Sequence, residues 1–161
     1  MKIDLLVPAI RHETIPVSRA CFFPPLGLLS LATYAKSQMR NLDIRVVDCN
    51  IGIDSNSLLR PDVNVVGLSP SILSYENCID ICKGAKKLGA TVILGGPHAA
   101  GLGRKILQSQ DSVDYVIQGD GELPFVHVLQ GVHDKDIPGL IYRDSHGIQQ
   151  NESKNYDLDR Y

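Results

Sequence analysis

The sequence predicts an α/β protein in which helices cover both faces of a doubly wound parallel sheet. Short apolar runs alternate with segments of helical periodicity across residues 1–131, the pattern of repeated strand-helix units. The apolar run 91–94 leads directly into Gly95-Gly96 and a helix start, which is typical of a buried strand whose carboxyl end admits a ligand. A plain strand-to-helix turn is the alternative interpretation of that stretch. A chain of 161 residues has the size of one domain and can bury a core without disulfides or metals.

Five parallel strands are predicted from runs suited to burial on both faces. They cover residues 1–7, 44–48, 64–68, 91–94 and 113–117. Pro8 ends the first run, and Ser69-Pro70 ends the third.

Four helices are predicted between and after these strands, over residues 25–39, 75–88, 99–108 and 123–129. The first begins at a proline pair, which suits an opening turn, and carries an apolar stripe. Gly89 and Gly131 end the second and fourth helices. A helical turn is also expected at residues 57–60, before Pro61.

After residue 135 the pattern changes. Residues 139–143 and 147–150 form two short strands around Asp144-Ser145-His146-Gly147, which predicts a β-hairpin. Residues 151–161 are polar, with no hydrophobic period. We therefore expect an α/β domain over 1–135, a hairpin extension over 136–150 and a linker over 151–161.

Right-handed crossovers between these strands favour a flavodoxin-like sheet with strand order 2-1-3-4-5. Its switch point then lies between the first and third strands, where ligands bind at the carboxyl edge. The loops that converge there contribute Asp48, Asn50, Ser69, Ser71, Gly95, Gly96, His98, Gly119 and Glu122.

Composition excludes several classes of function. The net charge is −2 and no Lys/Arg cluster follows a face, so nucleic acid and anionic membranes are not expected partners. No signal peptide or membrane-spanning run is present, and we expect a cytoplasmic protein whose four cysteines are free thiols. Cys78 and Cys82 have the first spacing of a C-x-x-x-C-x-x-C cluster motif, but Ala85 stands at its third position. We therefore interpret Cys78 and Cys82 as small residues that pack their helix against the sheet.

Phosphate and catalytic motifs are missing from the edge loops. Neither G-x-x-x-x-G-K-[ST] nor a G-x-G-x-x-G after the first strand occurs. A phosphoryl receiver would need acids, an Asp and a Lys where this chain has Pro8, Ser69 and Gln118. No His/Asp/Glu cluster has metal-ligand spacing and no Ser or Cys has an evident base, so we assign no catalytic or metal residue.

Several short motifs occur together in a fairly specific order and spacing. They are Phe23-Pro24-Pro25-Leu26-Gly27-Leu28, Val66-Gly67-Leu68-Ser69, Gly95-Gly96-Pro97-His98, Gly119-Asp120-Gly121-Glu122 and Ile137-Pro138-Gly139-Leu140. With them, essentially the whole chain resembles the cobalamin-binding domain at the N-terminus of many radical S-adenosylmethionine enzymes.

The resemblance implies that the chain holds cobalamin, with the corrin on the carboxyl edge and the nucleotide tail in a groove beside the strands. It also implies a 4Fe-4S cluster and S-adenosylmethionine in a downstream radical domain, which this chain lacks. The full protein would be a methyltransferase or a cyclase-like enzyme. The implied cofactor-binding residues are Asp48, Asn50, Ser69, Ser71, Leu73, Gly95, Gly96, Pro97, His98, Gly119 and Glu122.

The resemblance departs from one cobalamin motif. In D-x-H-x-x-G the His is the lower ligand of cobalt, but this chain places Asn50 there after Asp48, and Ile53 at the glycine position. Ser71-Ile72-Leu73 and Gly95-Gly96 match the accompanying S-x-L and G-G elements. A carboxamide is a poor cobalt ligand beside imidazole, so we expect base-off cobalamin without His coordination.

Two residues have alternative roles. His98 is either a substitute cobalt ligand or, as we expect, a residue that lies near the corrin. Glu122 either contacts the cofactor or only complements the dipole of its helix.

Two other classes of function share this fold. A flavodoxin-like flavin or nucleotide protein would use the same edge, although the loop after the first strand lacks a phosphate cradle. A domain whose ligand site has decayed would serve contacts alone.

Overall fold

A seven-stranded sheet with the order β2-β1-β3-β4-β5-β6-β7 lies at the centre of the molecule. The computed structural model describes residues 1–10, 24–51 and 58–154. The strands are β1 (Lys2–Val7), β2 (Asp43–Asp48), β3 (Val65–Leu68), β4 (Thr91–Leu94), β5 (Tyr115–Ile117), β6 (Leu140–Asp144) and β7 (Gly147–Gln150). The helices are α1 (Leu26–Gln38), α2 (Tyr75–Lys87), α3 (Gly96–Ser109) and α4 (Glu122–Gln130).

The predicted order of the five parallel strands is confirmed: β1 pairs with β2 and β3, β3 with β4, and β4 with β5. The predicted hairpin is also confirmed, and it extends this sheet. β6 pairs antiparallel with β5, where Val116 faces Ile141, and β7 pairs antiparallel with β6. The hairpin thereby covers the edge that β5 would otherwise expose.

The element ends differ from the prediction at a few places. β5 begins at Tyr115 rather than Val113, because the Val113 N–H donates to Gln110 O in a preceding turn. α3 begins at Gly96 rather than Ala99, with Pro97 in its first turn. Residues 58–60 contain a bend where we expected a helical turn, and Ser57 lies outside the described residues. Within the described ranges, no helix is long and apolar enough to cross a membrane.

Two hydrophobic clusters lie on opposite faces of the sheet, as a doubly wound fold requires. One cluster packs α2 and α3 against the strands, through residues such as Cys82 and Ile106. The other packs α1 and α4, through Leu28 and Phe125. Cys78 and Cys82 are unpaired thiols buried in α2, which confirms their interpretation as packing residues.

Asp4 places a fully buried carboxylate in β1, an interior strand of the sheet. Arg45 of β2 donates to both of its oxygens, at 3.1 and 2.8 Å. Arg60 adds a side-chain bond of 2.8 Å and a backbone N–H bond of 3.1 Å. The Arg60 guanidinium also donates to the backbone oxygens of Ile3 and Asp43. This network joins β1, β2 and the segment before β3 at the amino end of the sheet.

We expect Asp4→Asn to lower the free energy of unfolding by about 3 to 5 kcal/mol, because it leaves two guanidinium groups facing a neutral buried partner. Urea denaturation followed by circular dichroism measures this. Asp62→Ala is the control: it removes the exposed ion pair with Lys2 near the same end and should change stability little. Equal effects of the two variants would contradict a central role for Asp4.

Candidate functional site

A cavity of about 410 Å³ opens at the carboxyl edge of the sheet, on the face covered by α1 and α4. The ends of β1, β3, β4 and β5 form its base, and the first turns of the two helices form its walls. It is lined by Val7, Pro25, Leu26, Gly27, Leu28, Leu31, Gly67, Leu68, Ser69, Ile93, Leu94, Gly95, Gly96, Ile117, Gly119, Asp120, Gly121, Glu122 and Phe125. The base is apolar, and acidic side chains lie only at the residues that lead into α4.

Adjacent glycines leave space at the β4 end of the cavity. A Cβ added to Gly95 would have no atom within 4 Å, so this position borders open space. Gly96 differs, because its φ is +82° and a Cβ there would lie 2.6 Å from the Ser69 hydroxyl. Gly96 is therefore required for the turn itself, whereas Gly95 keeps the backbone bare beside the cavity.

The two helical walls contact each other at the rim. The Ser30 hydroxyl on α1 donates to the Glu122 carboxylate on α4 at 2.7 Å. Beside this bond, a Cβ on Gly121 would lie 3.3 Å from Leu31. The bond and the close approach hold α1 and α4 together above the apolar base. Glu122 therefore both starts its helix, where a carboxylate is favoured, and joins the walls.

The structure divides the predicted site residues into two groups. Ser69, Gly95, Gly96, Gly119 and Glu122 line the cavity. The others lie outside the lining: Asp48 and Asn50 lie at the end of β2, Ser71 and Leu73 follow β3, and Pro97 and His98 follow β4.

Sequence reasoning did not assign the α1 wall or the apolar base, which includes Phe125. The proline-rich start of α1 carried a signal, since it belongs to the motif 23–28 on which the resemblance rests.

Asn50 is fully engaged within the protein. Asp48 Oδ1 accepts from the Asn50 backbone N–H at 2.9 Å and from its side-chain Nδ2 at 2.8 Å. Asn50 Oδ1 in turn accepts from the Ile10 N–H at 2.9 Å. Both ends of the carboxamide therefore have protein partners.

His98 lies in the first turn of α3 and packs against an aromatic ring. Its ring and that of Tyr75 have centroids 5.4 Å apart and an interplanar angle of 67°, an edge-to-face arrangement. Ser71 lies four residues before Tyr75 in the sequence. Its N–H donates to the Ser74 hydroxyl at 2.9 Å and so fixes the turn at which α2 starts.

Cys49 is half-buried between Asp48 and Asn50. Burial first, and then the Asp48 charge, raise the pKa of its thiol to about 11. The group therefore remains protonated at neutral pH and is a weak nucleophile. In the part of the chain that is described, no three His, Cys, Asp or Glu side chains are grouped as metal ligands.

Residues 15–129 match the B12 binding domain family. This match covers most of the chain, and the protein belongs to that family, as the sequence motifs predicted.

A curated relative is an uncharacterized methyltransferase, PH0819, of Pyrococcus horikoshii. It is 26% identical over 137 residues, which cover 80% of this chain but only 30% of the relative.

Two solved structures of the radical S-adenosylmethionine methyltransferase TsrM from Kitasatospora setae share the fold. One has cobalamin and a 4Fe-4S cluster bound; it is 17% identical, has a TM-score of 0.70, and matches 96% of this chain and 29% of that protein. The other has tryptophan substrate and the analogue aza-SAM bound; it is 18% identical, has a TM-score of 0.68, and matches 94% of this chain and 30% of that protein. This chain thus spans less than a third of each relative.

We expect Gly96→Ala to lower the free energy of unfolding by about 1 to 3 kcal/mol, because it places a side chain at positive φ and against Ser69. Gly95→Ala is the matched control, since its backbone is extended and its Cβ meets open space. Urea denaturation without ligand separates the two. A Gly95→Ala loss as large as that of Gly96→Ala would contradict the assignment.

Proposed function

We propose that this chain binds cobalamin, with the corrin across the carboxyl edge of the sheet and the nucleotide tail inserted in the cavity between the strands, α1 and α4. The observation that carries the proposal is this apolar cavity at a glycine-lined strand end, in a chain that belongs to the B12 binding domain family. A flavin protein is the less favoured alternative, because the family match and the missing phosphate cradle both weigh against it.

The residues present fit the cofactor. The tail of cobalamin carries a planar aromatic base, which requires an apolar slot. The volume of about 410 Å³ lies within the range of roughly 300 to 1,000 Å³ usual for small-molecule sites. Ser69, Gly95, Gly96 and Glu122 would hold the part of the tail near the rim, and Phe125 would contact the base.

The remaining predicted residues would border the corrin at the same edge. They are Asp48, Asn50, Ser71, Leu73, Pro97 and His98. Gly119 lines the cavity opposite them, after β5.

No protein imidazole is proposed as a cobalt ligand. Asn50 stands where the His of D-x-H-x-x-G would be, and its carboxamide is engaged by Asp48 and Ile10. His98 is packed against Tyr75. We therefore propose base-off, His-off cobalamin, whose cobalt supplies methyl-transfer or electron-transfer chemistry when bound.

The full protein is proposed to be a radical S-adenosylmethionine enzyme. Each relative is more than three times as long as the matched region, and each is named a methyltransferase. A methyltransferase is therefore favoured over a cyclase-like enzyme. The 4Fe-4S cluster and S-adenosylmethionine would belong to a further domain, with this chain as a non-catalytic cofactor-binding domain.

Binding is tested by reconstitution with hydroxocobalamin, gel filtration and an absorbance spectrum, with riboflavin 5′-phosphate in a parallel sample. We expect retained corrin and no retained flavin. Gly95→Val should lose most corrin retention while keeping its melting temperature, because the branched side chain enters space beside the cavity. Gly101→Val on α3 is the matched control: a Cβ there also meets open space, but Gly101 lies outside the cavity lining, so corrin retention should not change. Retained flavin without corrin would refute the proposal.

Cobalt coordination is tested by electron paramagnetic resonance of the Co(II) form bound to the chain. We expect no nitrogen superhyperfine splitting, since neither the cofactor's base nor a protein imidazole would coordinate. The spectrum of His98→Ala should match that of the unaltered chain. A nitrogen splitting that disappears in His98→Ala would instead identify His98 as the ligand.

A further inference from the structure

A single peptide group after β1 is held from both sides by asparagine side chains. The Asn77 side-chain Nδ2, on α2, donates to Ala9 O at 2.9 Å. The Ile10 N–H, the other half of the same peptide group, donates to Asn50 Oδ1 at 2.9 Å. Two residues from different elements thus fix both the position and the rotation of the Ala9–Ile10 peptide.

Asn50 and Asn77 together form a clamp on the Ala9–Ile10 peptide, and a neighbouring group orients it. Asp48 Oδ1 accepts from the Asn50 Nδ2, which turns the amide oxygen toward Ile10. The Ala9–Ile10 peptide is therefore bonded at both its oxygen and its N–H.

The clamp spans the switch point of the sheet. Asn50 follows β2, the Ala9–Ile10 peptide follows β1, and Asn77 lies on the helix after β3, and these three strands are neighbours. Val7, the last residue of β1, lines the cavity on the opposite face. The clamp thus holds the backbone at Ala9 and Ile10 beside the switch point, which is where ligands bind in open α/β sheets.

We infer that Asn50 and Asn77 are positioning residues for cobalamin, which hold the Ala9–Ile10 peptide and so keep the β1 end of the cavity in its ligand-accepting form. This inference rests on the proposed function. The benefit is preorganisation: a segment ordered on folding does not have to be ordered when the ligand binds. Neither side chain lines the cavity, so toward the cavity both act through the backbone that they hold, whereas Asn50 would in addition border the corrin.

The test compares Asn77→Ala, Asn50→Ala and their combination. Asn77→Ala removes the donor to Ala9 without placing a charge against its carbonyl oxygen. Each single change should weaken hydroxocobalamin binding by roughly three- to tenfold, the effect of one hydrogen bond, measured by calorimetric titration. Because both residues hold one peptide, the combined variant should weaken binding less than the product of the single effects.

Asn64→Ala is the matched control, since Asn64 Oδ1 accepts from the Lys2 N–H at 2.7 Å at the opposite edge of the sheet. It should lose similar stability in urea and keep the affinity of the unaltered chain. Amide exchange of Ile10, measured without ligand, should accelerate in Asn50→Ala and stay unchanged in Asn64→Ala.

The outcomes separate the two proposals. If the unaltered chain fails to bind hydroxocobalamin, the proposed function is overturned, and the positioning role with it. If the chain binds but both single variants keep its affinity, only the positioning role is overturned. A loss of affinity in Asn64→Ala equal to theirs, or fully multiplicative effects in the combined variant, would also overturn it.

Discussion

The buried carboxylate of Asp4 is the constraint on which the arrangement of β2, β1 and β3 depends. In the register of the sheet it stands beside Arg45 of β2 and Val66 of β3. Its other partner, Arg60, lies in the segment that leads into β3. A slip by one residue would turn the carboxylate to the opposite, apolar face and remove it from both guanidinium groups, so the network selects one register for three neighbouring strands. The carboxyl ends of those strands then meet at one edge.

Ion pairs that join neighbouring elements lie at the amino end of the sheet, and a glycine-lined cavity lies at the carboxyl end. At the amino end, Asp114 accepts from the Val92 N–H at 2.8 Å and pairs with Lys86, which repeats on α2 and β4 what Asp4 does on β1 and β2. At the carboxyl end, the chain turns at Gly96 and Gly119, whose φ angles are positive, and leaves an apolar cavity. These ion pairs thus lie at the end of the sheet opposite the cavity, whose base is apolar.

The sequence predicts the strand order well, because that order follows from the alternation of strand and helix patterns. Local glycine signals also mark the edge at which the cavity lies. The sequence predicts the lining of the cavity less well. Ser69 and Gly95 line it, whereas Ser71 and His98 follow the same strands but pack around the start of α2. The α1 wall arises from contacts between helices that are distant in the chain, such as Ser30 with Glu122, and no local pattern encodes such a contact. The partners of Asn50 are equally non-local, since Ile10 precedes it by forty residues.

Within the proposed function, the residue at position 50 connects the coordination of cobalt to the position of the backbone after β1. An imidazole has two ring nitrogens; if one binds a metal and the other donates to Asp48, no atom remains to accept from the Ile10 N–H. A carboxamide has a donor and an acceptor on separate atoms, so Asn50 satisfies Asp48 and Ile10 together. Replacing a metal-binding His by Asn therefore removes a metal ligand and at the same time adds a hydrogen-bond acceptor for the Ile10 N–H after β1. Within the proposed function, the His-off state and the clamped Ala9–Ile10 peptide are two consequences of one side chain.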